Sequence, residues 1–193
     1  MDLIEILVIS VGISLNVYYV VMCFGSLLRT IEESRLLKTI GIFALWQVFA
    51  EVGAQFLVSI DGIEGFFSSK KTFAALLSVM ILIVLGLSMI VKGIKDKPIE
   101  ERLTQLKYST IILSGIATGA YSAFAGAAFG LMKTPLLPVI VITSVVTAVF
   151  VIAGLYTGYR MGCEGKGRVH IVGGILLLCA AVLIILRYMA GLI

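Results

Sequence analysis

A chain of 193 residues that is 60% hydrophobic and only 13% charged, with a mean hydropathy of +1.13, has too little polar surface for a soluble domain, so its solvent is the lipid bilayer. The formal net charge of +4 and the pI near 9.0 do not point to nucleic acid, because the basic residues fall between apolar runs, where they set orientation and meet lipid headgroups.

A spanning helix needs roughly 20 mostly apolar residues. Such runs occupy 3–28, 39–60, 72–94, 108–132, 136–160 and 169–192. They predict an all-α integral membrane protein of six transmembrane helices. A β-barrel is disfavoured, since barrel strands alternate over about ten residues and these runs are continuously apolar.

The first run opens on Asp2 and Glu5 rather than on a basic segment, and it is too long for a signal-peptide core, so it reads as a retained helix. At its centre lies Gly12-Ile13-Ser14-Leu15-Asn16. Polar groups in hydrocarbon cost free energy unless they are paired or used, which makes this stretch a site candidate. The second run holds Gln47, Glu51 and Gln55, four residues apart and therefore on one helix face. Glu51 is the one carboxylate deep inside a span, and a carboxylate there is kept for a partner, a cation or a proton. Trp46 beside it is expected to be core. The third run, Leu76 to Val91, is plainly apolar, and residues 95–107 form a polar linker around Pro98.

The fourth run repeats the pattern of the first, with Thr118, Tyr121 and Ser122 at its centre. Its glycines, Gly115, Gly119, Gly126 and Gly130, and Gly154, Gly158 and Gly162 in the fifth run, recur at four-residue intervals that let helix backbones approach closely. That packing is expected to bring Tyr121, Ser122 and Tyr156 inward. The sixth run is again apolar. His170 opens it beside Arg168, an interfacial position, and Cys23, Cys163 and Cys179 have no metal or redox spacing and are expected to be unpaired.

Connections 1–2, 3–4 and 5–6 carry Arg29, Arg35, Lys38, Lys92, Lys95, Lys97, Arg102, Lys107, Arg160, Lys166 and Arg168. The opposite side carries Lys70, Lys71, Lys133 and Arg187. The positive-inside rule makes the first set cytoplasmic and places both termini outside a multi-pass cell membrane protein. Residues 1–94 and 108–193 then form two three-helix halves. Gly53 aligns with Gly154, and the loops Asp61 to Gly65 and Gly162 to Lys166 fall in register. Three spans per half force the halves into opposite orientations, the inverted-repeat plan of secondary transporters.

The run Gly154-Leu-Tyr-Thr-Gly158-Tyr-Arg-Met-Gly162, followed by Gly173-Gly174-Ile-Leu-Leu, resembles the fifth and sixth helices of the MntP-type manganese efflux pumps. Gly12 to Asn16 and Ala117-Thr118 resemble that family's first and fourth helices, and Leu37-Lys38-Thr39 the start of its second. The resemblance implies a two-repeat exporter of the LysE-like superfamily with Mn²⁺ as substrate. The family carries acidic residues where this chain has Asn16 and Tyr121, and a Glu where it has Gln47. Mn²⁺ prefers carboxylate and carbonyl oxygens, so these departures leave a poorer site for a dication.

The expected function is secondary export of a divalent cation through Asn16, Gln47, Glu51, Gln55, Thr118, Tyr121 and Ser122, with Glu51 and Asn16 as metal ligands. The alternatives are a non-metal permease, or a non-transporting scaffold or partner subunit. For Glu51 itself, the alternative is a neutral carboxyl bonded to Tyr121 or Asn16 as interhelical glue. No phosphate-binding loop, catalytic triad or cofactor motif is present, so no enzyme activity and no cofactor are expected. The expected partners are lipid and a small cation, not nucleic acid, with a homodimer left open.

Overall fold

The computed structural model describes residues 2–26, 33–58, 71–95, 108–162 and 166–189. The linker beyond Lys95, the loop from Asp61 to Gly65, and Cys163 lie outside them. The described residues form six helices: α1 (Leu3–Ser26), α2 (Glu33–Val58), α3 (Lys71–Ile94), α4 (Tyr108–Leu131), α5 (Leu136–Met161) and α6 (Lys166–Met189). Five are long and apolar enough to cross a membrane. The sixth, α4, carries Ser114, Thr118, Ser122 and four glycines among its apolar residues.

Packing follows the glycines. An added Cβ at Gly126 would meet the Glu51 carbonyl, while one at Gly130 would lie 3.1 Å from the Gln55 carbonyl. With Gly119 against Trp46, the contacts advance together along both chains, so α2 and α4 run parallel. Gly154 against Tyr18 and Gly158 against Met22 set α1 parallel to α5 in the same way. Gly86 faces Gly174 and Gly93 faces Gly167, which makes α3 and α6 antiparallel. Gly12 lies against Leu177 and Gly173 of α6. Gly115 has only an ordinary contact with Ile42 at 3.8 Å, and Gly162 meets nothing and instead ends α5 at φ 74°.

The principal pairs, α1·α5, α2·α4 and α3·α6, are joined by α1·α6, α3·α4 and α2·α5. One apolar core runs through Ile9, Ile13, Leu82, Met89, Phe129, Val139 and Leu177, and a second joins Val17, Val21, Phe24, Phe43 and Val151. The outer faces of α2 and α5 are mostly exposed, as expected for helices whose other neighbour is lipid.

Three side chains differ from expectation. Trp46 is exposed, stacked on Phe49 at 5.9 Å. Tyr156 is also exposed, because it lies two residues from both Gly154 and Gly158 and so about 200° around α5 from their packed stripe. Cys23 is disulfide-bonded, whereas Cys179 is a free, exposed thiol. His170 is buried, its ring 4.1 Å from that of Tyr19.

At one end of the bundle, Arg187 of α6 pairs with Asp2 and reaches the Glu5 carboxylate at 3.5 Å. The Arg187 hydrogen bond holds the exposed Asp2 carboxyl below the usual carboxylate range. A depressed folded value contributes stability above the unfolded value and loses it as pH falls through the folded one. Asp2→Asn is therefore expected to lower the melting temperature slightly at neutral pH, with the difference closing below the ordinary Asp range. A difference independent of pH would contradict this.

Candidate functional site

Three helices meet in a ladder of polar side chains. Each contributes two residues one turn apart, Ser10 and Ser14 from α1, Thr143 and Thr147 from α5, and Gln47 and Glu51 from α2. In one rung the Ser10 and Thr143 hydroxyls lie 3.0 Å apart, and Thr143 donates to Glu51 Oε1 at 3.3 Å. In the other, Ser14 and Thr147 lie 3.2 Å apart, and Thr147 donates to Gln47 Oε1 at 3.0 Å. All six residues are buried, and Glu51 is 0% exposed. The register follows from helix direction: α1 and α5 run parallel and keep a constant offset, whereas α2 runs against α5 and pairs Gln47 with the later threonine.

The ladder is not saturated. Glu51 Oε2, Gln47 Nε2 and the Ser122 hydroxyl are buried without a hydrogen-bond partner. Ser122 lies three residues after Gly119, which faces Trp46 and Ala50, and four before Gly126, which faces the Glu51 backbone. That spacing turns Ser122 toward α2 between them. Unsatisfied buried polar atoms are costly, and in hydrocarbon the ordinary remedy of bulk water is absent. A cation or proton would find here one carboxylate among hydroxyl and amide groups. A flip of the Gln47 amide would let Nε2 donate to Thr147 and present Oε1 instead.

The other expected residues go elsewhere. Asn16 is buried on α1, two residues and so about 200° from Ser14, between Gly12 and Tyr19, both of which contact α6. Thr118 spends its hydroxyl on the Gly115 carbonyl at 3.0 Å within its own helix. Gln55 Nε2 donates to the Thr134 carbonyl at 2.7 Å, tying α2 to the turn between α4 and α5. Tyr121 faces α3, with its hydroxyl 3.2 Å from Ser88 Oγ and the Lys92 ammonium 4.5 Å from its ring centre. Sequence reasoning missed Ser10, Thr143 and Thr147. Their shared four-residue spacing was the available signal.

Thr143→Val keeps the β-branched shape and removes the hydroxyl common to Ser10 and Glu51. Interhelical hydrogen bonds in membranes average about 0.6 kcal/mol, so two lost bonds are expected to cost about 1 kcal/mol in an unfolding titration. An unchanged unfolding free energy would contradict the bonds that Thr143 makes to Ser10 and Glu51.

Lipid-length apolar helices enclosing an unsaturated carboxylate and hydroxyl ladder define a multi-pass membrane protein with a polar interior, the class to which membrane transporters belong. The family model described as "Putative manganese efflux pump" matches residues 30–185, and the chain belongs to this manganese efflux family. It is 28% identical to "Putative manganese efflux pump MntP" of Methanosarcina mazei over 94% of both chains. Identity to the protein of the same description from Methanosarcina barkeri is 26% over 88% of both. A Clostridium botulinum relative, "Putative manganese efflux pump MntP 2", is 26% identical over 97% of this chain and 96% of its own. No solved structure matches.

Proposed function

We propose that this chain is a secondary transporter that exports a divalent cation such as Mn²⁺ across the cell membrane through the ladder, between two inverted halves spanning 1–94 and 108–193. The observation that carries this reading is Glu51, a fully buried carboxylate with one oxygen on Thr143 and the other without a hydrogen-bond partner. Glu51 is the anionic ligand. The Thr143, Thr147 and Ser122 hydroxyls and the Gln47 amide oxygen complete a hard-donor set suited to Mn²⁺.

The inverted plan is supported by direction and pairing. With α2 parallel to α4, α1 parallel to α5 and α3 antiparallel to α6, corresponding helices of the two halves point oppositely. Exchanging α1 with α4, α2 with α5 and α3 with α6 maps the set of helix pairs onto itself. Thr143 and Thr147 of the second half are gripped by α1 and α2 of the first. Rocking one half against the other breaks these rungs, which is how alternating access would release the ion. The basic loops put both termini outside, and nothing in this reading requires enzymatic chemistry or a cofactor.

A permease for another solute, or a subunit that does not transport, is the second reading. It is favoured by one observation: among the described residues no three His, Cys, Asp or Glu side chains cluster as a metal site. Flux into proteoliposomes holding the purified chain separates the two. Saturable Mn²⁺ flux, with Fe²⁺, Co²⁺, Zn²⁺ and Cd²⁺ tested as competitors, is the expected result. Absence of flux for every divalent ion, from folded protein, would overturn the metal assignment.

A further inference from the structure

A second feature lies on the outside of the bundle and owes nothing to the ladder. Between α3 and α4 a groove of about 340 Å³ opens laterally. Its walls are Leu77, Met80, Ile81 and Val84 from α3, with Ala120 and Phe124 from α4. Leu77 to Ser88, the length of the groove along α3, covers about 16 Å at 1.5 Å per residue. One leaflet of a bilayer core about 30 Å thick offers about 15 Å. The groove therefore has the length of one leaflet's acyl chain, and apart from its end it is apolar.

That end is polar and cationic. Ser88 and Tyr121 close it with their hydroxyls 3.2 Å apart. One turn beyond Ser88, the exposed Lys92 holds its ammonium 4.5 Å from the Tyr121 ring centre. Among the described residues no carboxylate pairs with Lys92. Lys92 stands two residues before the end of α3 at Ile94, where a spanning helix meets the headgroups, and Lys95 follows it, also exposed. The ring fixes an ammonium by cation–π attraction and leaves its remaining donors for an anion.

We propose that this groove is a binding site for an anionic phospholipid, with one acyl chain along α3 and α4 and the headgroup phosphate on Lys92. The occupant comes from the bilayer itself. An apolar channel of leaflet length, capped by a cation that no described carboxylate pairs, is complementary to that molecule at both ends. A zwitterionic lipid fits the channel equally well but carries its own ammonium and gains less from Lys92.

The test is native mass spectrometry of the full chain released from nanodiscs of phosphatidylglycerol and phosphatidylcholine with identical acyl chains. The wild type is expected to retain phosphatidylglycerol about fivefold over phosphatidylcholine, the worth of one lysine at an anionic surface. Lys92→Gln, on an exposed side chain, is expected to erase that preference. Val84→Trp, or Met80→Trp should the first fail to fold, is expected to fill the channel and lower retention of both lipids. Equal retention by the wild type, or an undiminished preference in Lys92→Gln, would overturn the headgroup contact. Unchanged retention in a folded tryptophan variant would overturn the channel.

Discussion

Glu51→Gln is expected to abolish cation flux while the protein folds as before. The substitution keeps the size of the side chain and an oxygen that accepts the Thr143 hydroxyl, so the 3.3 Å bond and the ladder survive. It removes only the charge, and in hydrocarbon a neutral amide costs less to bury than a carboxylate. Stability should stay level or rise. Flux should fall by more than the about 10- to 100-fold that removing a ligand's supporting partner costs, because on the proposed reading the anionic ligand itself is lost. A scaffold would show the reverse, with changes in stability and nothing else. Full flux in folded Glu51→Gln would end the carrier assignment.

Gly126→Ala is expected to destabilise the fold strongly. The new Cβ would overlap the Glu51 carbonyl and lie 2.8 Å from its Cα. Both are backbone atoms that no rotamer change can move, so α4 must separate from α2 along its length. Overpacking of a filled core costs about 1–3 kcal/mol, and a backbone clash belongs at or above the top of that range. Gly53→Ala is the matched control, since nothing lies within 4 Å of its Cβ and alanine is favoured over glycine in a helix by about 1 kcal/mol. Unfolding titrations of the two variants should therefore move in opposite directions. Equal shifts would mean that the close approach of α2 and α4 contributes little.

The helices were legible in the sequence because bilayer thickness sets a minimum apolar length that few other structures require. Glu51 and Gln47 were legible for the related reason that polar groups are rare at such depth. Their partners were not. Serine and threonine are common in spanning helices, since their hydroxyls can bond to their own backbone as Thr118 does with Gly115, so Thr143 and Thr147 carried little signal without knowledge of which helices touch. Inside and outside were also hard to separate. In a bilayer both faces of a helix are apolar, and hydrophobicity alone could not tell that Trp46 and Tyr156 are exposed while Tyr121 is buried. Of the two helix centres that match in sequence, Asn16 lies on the side of α1 toward α6 and Tyr121 on the side of α4 toward α3, so neither reaches the ladder.

The central claim is that Glu51 holds the transported cation. Its most direct test is electron paramagnetic resonance of Mn²⁺ added to the purified chain, comparing wild type with Glu51→Gln and with Thr143→Val. The account predicts a bound, immobilised Mn²⁺ signal in the wild type that is lost in Glu51→Gln and weakened in Thr143→Val. A bound signal of equal strength in Glu51→Gln would contradict it and place the cation elsewhere in the bundle.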